Sequence, residues 1–385
     1  MTLFALFACI LGISAENSIA VNGALVTKGK TGSINIELVN PGDAFCAFQM
    51  DIALPDGLTF VSAFKGGRMS SAHSLGYAAL GGNIIRFSSI DTEQNREYLG
   101  ESGTLFTITV SVSDALAVGD VLTAQLQNVE FARRNESQFK IAQQDVSIEI
   151  TDKVVIDENS AALPPTHKSV DVLVKRTIKK NIWNTICLPF SMDADQVKQV
   201  FGDDVKVVEF SDYEVDGLKI TVNFDESNLE GEGFYSNWPY LIKTSNDITN
   251  FTVEGVDVEP NEEEAVAEYE TGSGKKKTVL GRFYGTLKAG TVLNSDYLFL
   301  NNNKFYYSTG STIIKGLRGY FWLKHFDSSA GNSDLVMAFD DTTNNVNDVK
   351  VVVNEDGVYY NLKGQRVENP TGKGIYIKNG KKVVK

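Results

Sequence analysis

The chain has 385 residues, with 49 acidic and 36 basic side chains and a formal net charge of −13. This length exceeds what one ordinary hydrophobic core organises, so we expect two or three domains. The acidic balance excludes a nucleic-acid partner, because phosphate recognition needs clustered lysine and arginine.

The first fifteen residues, MTLFALFACILGISA, carry no charge. The run is too short to span a bilayer. It predicts a secretory signal peptide over residues 1–15 with cleavage near Ala15, although the usual basic start is absent. A lipoprotein cleavage box that ends at Cys9 is the alternative. No later stretch is long and apolar enough to cross a membrane, so we expect no transmembrane span.

Between residues 16 and 152, apolar residues alternate with polar ones almost throughout, as in SINIELVN and TLFTITVSVS. This period is typical of half-buried β-strands, and turn signals such as NPGD separate the runs. The apolar phase shifts between Leu126 and Val129, which predicts a β-bulge. We therefore predict a β-sandwich of roughly seven to nine short strands.

A polar segment with two adjacent prolines, DENSAALPPTHKS, follows and predicts a linker. Residues 168–341 then form a second β-rich domain, which holds all three tryptophans. One helix is expected there, with Asp193 as its N-cap and Gly202 at its end. Because Cys46 and Cys187 fall in different predicted domains, we expect no disulfide framework.

The chain ends in a small basic module over residues 350–385, after a second polar linker, FDDTTNNVNDVK. Its last twelve residues, GIYIKNGKKVVK, place Asn379-Gly380 between two alternating runs. Asn-Gly in this position predicts a two-residue β-hairpin, since both residues accept a positive φ. The module either docks on the acidic body of the protein or is recognised by an export apparatus.

The first β-rich region resembles a cohesin domain, or the closely similar carbohydrate-binding sandwich. The resemblance lies in GSINIELVNPGDAFCAFQMDIALPDGLTFVSA, GGNIIRFSSID and SGTLFTITVSVSDALAVGDVLTAQLQNVEF. It implies an all-β fold whose N-terminal domain is a sandwich of the jelly-roll type. Classical cohesins bind calcium-loaded dockerins, but their recognition residues vary too much for any to be carried over to this chain.

Two further resemblances concern the rest of the chain. WNTICLPF, NWPYLIKTS, LGRFYGTL, LFLNNNKFYYSTG and LRGYFWL resemble a β-rich module of surface proteins in Bacteroides and Prevotella relatives. The final module is similar to the C-terminal sorting domains of secreted Bacteroidetes proteins, whose pattern Tyr360, Leu362, Gly364 and Val367 match. Together they imply a secreted or cell-surface protein.

The sequence offers few groups for catalysis. The histidines His73, His167 and His325 do not stand at metal-ligand spacing, and neither cysteine has a CxxC partner, so we expect no metal and no cofactor. TGSGKKKT lacks the first glycine of a phosphate loop. A carboxylate pair for glycoside hydrolysis stays open, with Glu209 and Asp212 as the nearest candidates.

Sugar binding needs exposed aromatic rings that stack on pyranose faces, beside hydrogen-bonding amides or carboxylates. Loop-rich stretches of both β domains contain aromatic residues that could serve. The candidate ligand-binding residues are Tyr77, Tyr98, Trp238 and Tyr240. We expect Trp183 and Trp322 to fill the core of the second domain.

Three functions are compatible with these features. The first is an exported, non-catalytic protein that binds a polysaccharide or glycoprotein glycan during polysaccharide utilisation. The second is a protein–protein interaction module or adhesin with a surface protein as partner, which would show a flat apolar sheet face. The third is a glycoside hydrolase, which would need two carboxylates facing each other across a cleft.

Overall fold

The computed structural model describes residues 17–21, 24–92, 96–135, 137–227, 233–261, 263, 265–271, 277–326 and 334–340, and four short strands after residue 358. The predicted signal peptide at 1–15 lies outside the described residues. The chain divides into two compact units. The first unit comprises Met1–Leu163, Asp171–Leu173 and Lys288–Thr291, and the second comprises Pro164–Val170, Val174–Leu287 and Val292–Lys385.

The first unit is a β-sandwich, which confirms the predicted all-β class. Its strands are β1 (Ser18–Ala20), β2 (Ala24–Thr27), β3 (Thr31–Val39), β4 (Ala47–Ala53), β5 (Leu58–Lys65), β6 (Gly76–Gly81), β7 (Ile84–Ile90), β8 (Ser102–Val112), β9 (Val121–Ala132), β10 (Gln138–Ile141), β11 (Gln144–Thr151) and β12 (Val154–Asp157). One sheet has the order β1-β3-β8-β5. The larger sheet has the order β2-β11-β9-β4-β7-β6, with β10 paired to β9. β2 and β11 run parallel.

The two sheets enclose one hydrophobic core because alternate residues of each strand face inward. On β4, for example, Phe48, Met50 and Ile52 are buried. Cys46 precedes them as a buried free thiol. The predicted bulge is confirmed: the register of β4 against β9 shifts, and Asn128 takes a φ of 51° there.

The segment after β12 differs from the predicted linker. Glu158, Ser160, Ala161 and Ala162 are all buried. Thr104 Oγ1 donates to the Asn159 carbonyl at 2.9 Å, so the segment lies on the outer face of β8. The first unit therefore extends past residue 152, whereas the predicted ranges 168–341 and 350–385 stay predictions.

The second unit is also rich in strands and contains a single described helix, α1 (Ala194–Phe201). Its strands are β13 (His167–Lys175, which also contributes to the first unit), β14 (Asn184–Cys187), β15 (Lys206–Asp216), β16 (Lys219–Glu226), β17 (Pro239–Lys243), β18 (Phe251–Val258), β19 (Ala265–Thr271), β20 (Thr278–Thr286), β21 (Thr291–Leu293), β22 (Tyr297–Asn301), β23 (Lys304–Tyr307), β24 (Thr312–Ile314), β25 (Arg318–Leu323) and β26 (Asp334–Asp340). Two five-stranded sheets have the orders β14-β17-β15-β16-β26 and β19-β20-β25-β22-β23.

Aromatic rings form much of the second core. Phe283 and Phe321, on neighbouring strands, stack with their centroids 4.1 Å apart. Trp183 is 8% exposed and stacks on Phe339, which confirms its predicted core position. Trp322 does not reach the predicted core position, because its side chain is only half-buried.

The predicted helix is confirmed together with both of its ends. Asp193 accepts the Gln196 N–H at 2.8 Å and Gln196 Oε1 accepts the Asp193 N–H, forming a capping box. Gly202 ends the helix with a φ of 99°, in the region that favours glycine. Short-range sequence signals therefore fix this element.

Four strands of the C-terminal module form a small antiparallel sheet. They are β27 (Tyr359–Tyr360), β28 (Arg366–Val367), β29 (Ile375–Lys378) and β30 (Lys381–Val384), in the order β28-β27-β29-β30. Lys378 pairs with Lys381, so two residues connect β29 to β30. The predicted two-residue hairpin is confirmed.

Candidate functional site

The outer face of the larger sheet in the first unit, which we name the β4 face, spans the strands β11, β9, β4, β7 and β6. Because the apolar residues of β4 point into the core, Gln49, Asp51 and Ala53 point outward. The register places Gln49 beside Ser88 of β7 and Glu130 of β9. Each cross-strand row therefore places outward side chains of several strands side by side.

A fixed ion pair lies at the centre of the β4 face. Arg86 Nε and Nη2 donate to the two Asp51 carboxylate oxygens at 2.7 and 2.8 Å. Asn128 Nδ2 donates to Asp51 Oδ2 at 2.8 Å. The Asp51 side chain is 3% exposed and the Arg86 side chain 39% exposed, so the guanidinium covers the carboxylate and faces outward.

This arrangement favours the charged form of the Asp51 carboxyl. The hydrogen bonds from Arg86 are the main cause that lowers the pKa of the Asp51 carboxyl, and burial acts in the opposite direction. The Asn128 bond lowers it further. Asn128 is the residue of the β-bulge, so the bulge places a neutral donor beside the ion pair.

Small and polar side chains surround the ion pair. The row beside it runs from Gly76 through Ser88 to Gln49, and Ala78 pairs with Arg86 on the edge strand β6. Gln125 Nε2 donates to Asp145 Oδ1 at 3.0 Å on the other side. The surroundings of the ion pair are therefore polar, whereas the sequence-based hypothesis of a protein-binding module expected a flat apolar face. Exposed apolar residues of this face, Ile90 and Val121, lie at the ends of their strands.

The segment after β12 covers part of the opposite face of the sandwich. Thr107 and Thr109, which point outward from β8, are 0% and 8% exposed. Thr107 Oγ1 accepts the Ala161 N–H at 2.9 Å and donates to Asn35 Oδ1 at 2.8 Å. Thr59, Val61 and Phe64 of β5 stay exposed, so the cover is limited to the part of this face around Thr107.

The two tyrosines proposed for the first domain occupy different environments. Tyr77 is 51% exposed on the edge strand β6, and its ring meets Phe60 edge-on at 4.9 Å. Tyr98 is 4% exposed and packs on His73 with the ring centroids 4.6 Å apart. The predicted platform role is wrong for Tyr98, because a loop residue here completes the core. Burial also raises the pKa of its hydroxyl.

The two candidate residues of the second domain, Tyr240 and Trp238, also lie in different environments. Tyr240 is 1% exposed, and its hydroxyl accepts the Tyr235 N–H at 3.0 Å, so its predicted ligand-binding role is wrong. Trp238 packs against the second core and donates from Nε1 to Glu209 Oε2 at 3.0 Å. This bond also engages Glu209, one of the two candidate carboxylates. Asn223 donates to the other, Asp212.

Sequence reasoning missed Asp51, Arg86 and Asn128. The alternation on β4 placed Asp51 on the outer side, which was the available signal. Its partners lie 35 and 77 positions away, so only the strand register reveals the cluster. Among the described residues, no group of three or more His, Cys, Asp or Glu could hold a metal ion. In the same part of the chain, no helix is long and apolar enough to cross a membrane.

The similar solved structures are cohesin modules. A cohesin from Archaeoglobus fulgidus is 18% identical, with a TM-score of 0.30 over 36% of this chain and 92% of its own. The cohesin–dockerin complex of Clostridium thermocellum shows 14% identity and a TM-score of 0.31, and the match covers 35% of this chain and 99% of the matched chain. The seventh ScaB type I cohesin of Pseudobacteroides cellulosolvens shows 16% identity and a TM-score of 0.30, and the match covers 39% of this chain and 96% of the cohesin.

No protein-family model matches the chain. No curated protein matches it either. At the identities and TM-scores of the cohesin modules, the likeness carries no argument about ligand or partner. The description of the first unit as a sandwich rests on its own sheets and core.

Proposed function

We propose that the first unit is a non-catalytic protein-interaction module that binds its partner on the β4 face. The observation that carries the proposal is the fixed Asp51–Arg86 ion pair at the centre of the β4 face, on a sandwich whose other face is partly covered by the segment after β12. A half-exposed arginine held in one geometry is a favourable contact residue, because little side-chain entropy is lost when a partner binds it.

The dimensions of the face suit a protein partner. Five strands about 4.8 Å apart and about seven residues long at ~3.3 Å each give a patch of roughly 24 by 23 Å. This is of the order of the ~800 Å² that each partner buries in a standard interface. A single sugar would leave most of such a face uncovered.

Glycan binding is the competing function, and the geometry of this face supports it less. The outward residues of β4, β7 and β9 include no aromatic ring in the described part of the sheet. Tyr77 stands at the edge strand and packs toward Phe60. A sugar would therefore have hydrogen bonds but no ring on which to stack.

The location that fits this function is the cell surface or the exterior. The uncharged run over residues 1–15 and the sorting-type pattern in residues 350–385 support export. We propose that the chain is exported through its N-terminal signal and acts outside the cytoplasm.

The test introduces the same bulky charge on and off the β4 face. Ala78→Arg places a long side chain beside Arg86, whereas Ala115→Arg places it in an exposed turn. The probes are a panel of calcium-loaded dockerins, the partners of the classical cohesins that the first region resembles in sequence. A surface extract of the source organism is the second probe. Plant and mucin glycans complete the set.

We expect a protein to bind the wild type and Ala115→Arg, with binding to Ala78→Arg weakened at least about tenfold by loss of shape complementarity. Equal binding by both variants would place the interface elsewhere. Retention of a glycan, with no protein bound, would replace the proposal by the competing one.

A further inference from the structure

A cavity of about 230 Å³ opens in the second unit. It lies where the loop before β14, the end of β22 and the start of β25 meet, and its walls include Lys179, Trp183, Asn301, Asn302 and Arg318. At ~30 Å³ per water, it has room for roughly seven waters. It is therefore large enough for one sugar ring or a small organic acid, and too small for a drug-sized ligand.

The charge of the lining is unlike that of the chain. Lys179 and Arg318 are cationic, and none of the ten described residues that line the cavity is acidic. The whole chain nevertheless carries a formal charge of −13. A cavity with this lining attracts an anion, and its walls exclude part of the solvent that would screen the attraction.

Hydrogen bonds hold the backbone of the wall that carries Lys179. Asn184 Oδ1 accepts the Lys179 N–H at 3.1 Å, and Asn184 Nδ2 donates to the carbonyls of Lys179 and Ile182 at 2.9 Å each. The Trp183 N–H donates to Asn303 Oδ1 at 2.6 Å and ties this loop to the β22–β23 turn. A preformed wall of this kind lowers the ordering entropy that a ligand must overcome.

The tryptophan in the wall does not offer a stacking surface. The Trp183 ring stacks on Phe339 with the centroids 4.6 Å apart, and Lys243 Nζ lies 5.8 Å from the ring centroid. Contacts to the ring plane are thus already supplied by the protein. A ligand would be held by hydrogen bonds and charge, from Lys179, Arg318 and the amides of Asn301 and Asn302.

We infer that this cavity binds a small hydroxylated carboxylate, with a single uronic acid ring as the ligand that matches its size. The carboxylate binds the two cationic side chains, and the hydroxyl groups bind the asparagine amides. The source is either a free acid or an acidic residue of a glycan. This site is independent of the proposed function of the β4 face.

The test uses two adjacent lysines as a matched pair. Lys179→Met removes a cation from the cavity, whereas Lys180→Met removes the same charge from an exposed residue that does not line it. Binding of glucuronate and glucose to the full chain is measured by calorimetry or NMR titration. A galacturonate trimer distinguishes the two sources of the acid.

We expect wild type and Lys180→Met to bind glucuronate alike, and Lys179→Met to bind it at least about tenfold more weakly, the effect of losing one charged hydrogen bond. Asn302→Asp, which places an acid in the cavity, should abolish binding. Tighter binding of the trimer assigns the source to a glycan, and binding of the monomer alone assigns it to the free acid. Equal losses for the two lysine variants, equal binding of glucose, or no glucuronate binding to wild type would overturn the inference.

Discussion

Replacing Thr107 by valine tests whether the segment after β12 is an integral cover of the sandwich. Thr107 is 0% exposed, and its hydroxyl joins the Ala161 N–H to the Asn35 side chain. Valine keeps nearly the same shape but has no hydroxyl. The Ala161 N–H, on a residue that is 6% exposed, would then lie buried without an acceptor.

The size of the effect follows from these two bonds. Leaving a buried donor without a partner costs about 1–3 kcal/mol. The Asn35 oxygen is only partly buried, so water replaces much of its lost bond. We therefore expect a loss of about 2 kcal/mol, which lowers the melting temperature of the first unit by roughly 4–8 °C.

Hydrogen exchange of the peptide that contains Ala161 measures this effect locally. A loss of about 2 kcal/mol in the opening free energy corresponds to roughly thirtyfold faster exchange. Thr59→Val is the control, because Thr59 points outward from the edge strand β5 and is exposed. If exchange near Ala161 is the same in both variants, the segment is not held by Thr107 and the account of the covered face fails.

Three further predictions concern the ion pair, the helix and the N-terminus. The pKa of Asp51 is lowered in the folded protein, so the stability that its charged form contributes is complete above the ordinary pKa of 3.8 and is lost as the pH falls through the folded-state pKa. Arg86→Met removes the partner of that charge and should therefore lose less stability on acidification than wild type. Parallel acid-unfolding curves of the two proteins would contradict this. Asp193→Ala removes the N-cap and should destabilise the second unit by about 1 kcal/mol in urea unfolding, while Asp195→Ala in the same first turn should change it less. Deleting residues 1–15 should leave folding unchanged and keep the protein in the cytoplasm, and recovery of the truncated protein outside the cell would refute the signal assignment.

Local signals in the sequence predicted much of the fold. Alternation identified the strands, the capping residues identified the helix, and Asn379-Gly380 identified the last hairpin, because each of these depends on neighbours within a few positions. The segment after β12 was predicted wrongly for the opposite reason. Its polar groups, such as the Ala161 N–H, find partners on β8, 54 positions away, which composition does not reveal.

The candidate site shows the same limit. Alternation placed Asp51 on the outer side of a strand, but its significance comes from Arg86 and Asn128, which only the register of three strands brings together. Tyr98 was misjudged for a related reason. Its loop position suggested an exposed ring, but packing against His73 buries it. Burial of a loop residue depends on what the loop packs against, and a single sequence does not contain that information.

The aromatic residues of the second unit show why their number alone does not predict a sugar platform. On the side of its β20–β25–β22–β23 sheet that faces away from Phe283 and Phe321, Tyr284 stacks on the buried Tyr320 with the ring centroids 4.9 Å apart. Phe299 stacks on Tyr306 in the same way, at 5.7 Å. Rings stacked across strands contact each other through the faces that a pyranose would use, and cross-strand pairs of this kind stabilise a sheet by roughly 0.2–1 kcal/mol each. These stacked pairs therefore contribute to the stability of the sheet, and the recognition of an acidic sugar that we infer for this unit rests on the cations and amides of the cavity beside Trp183.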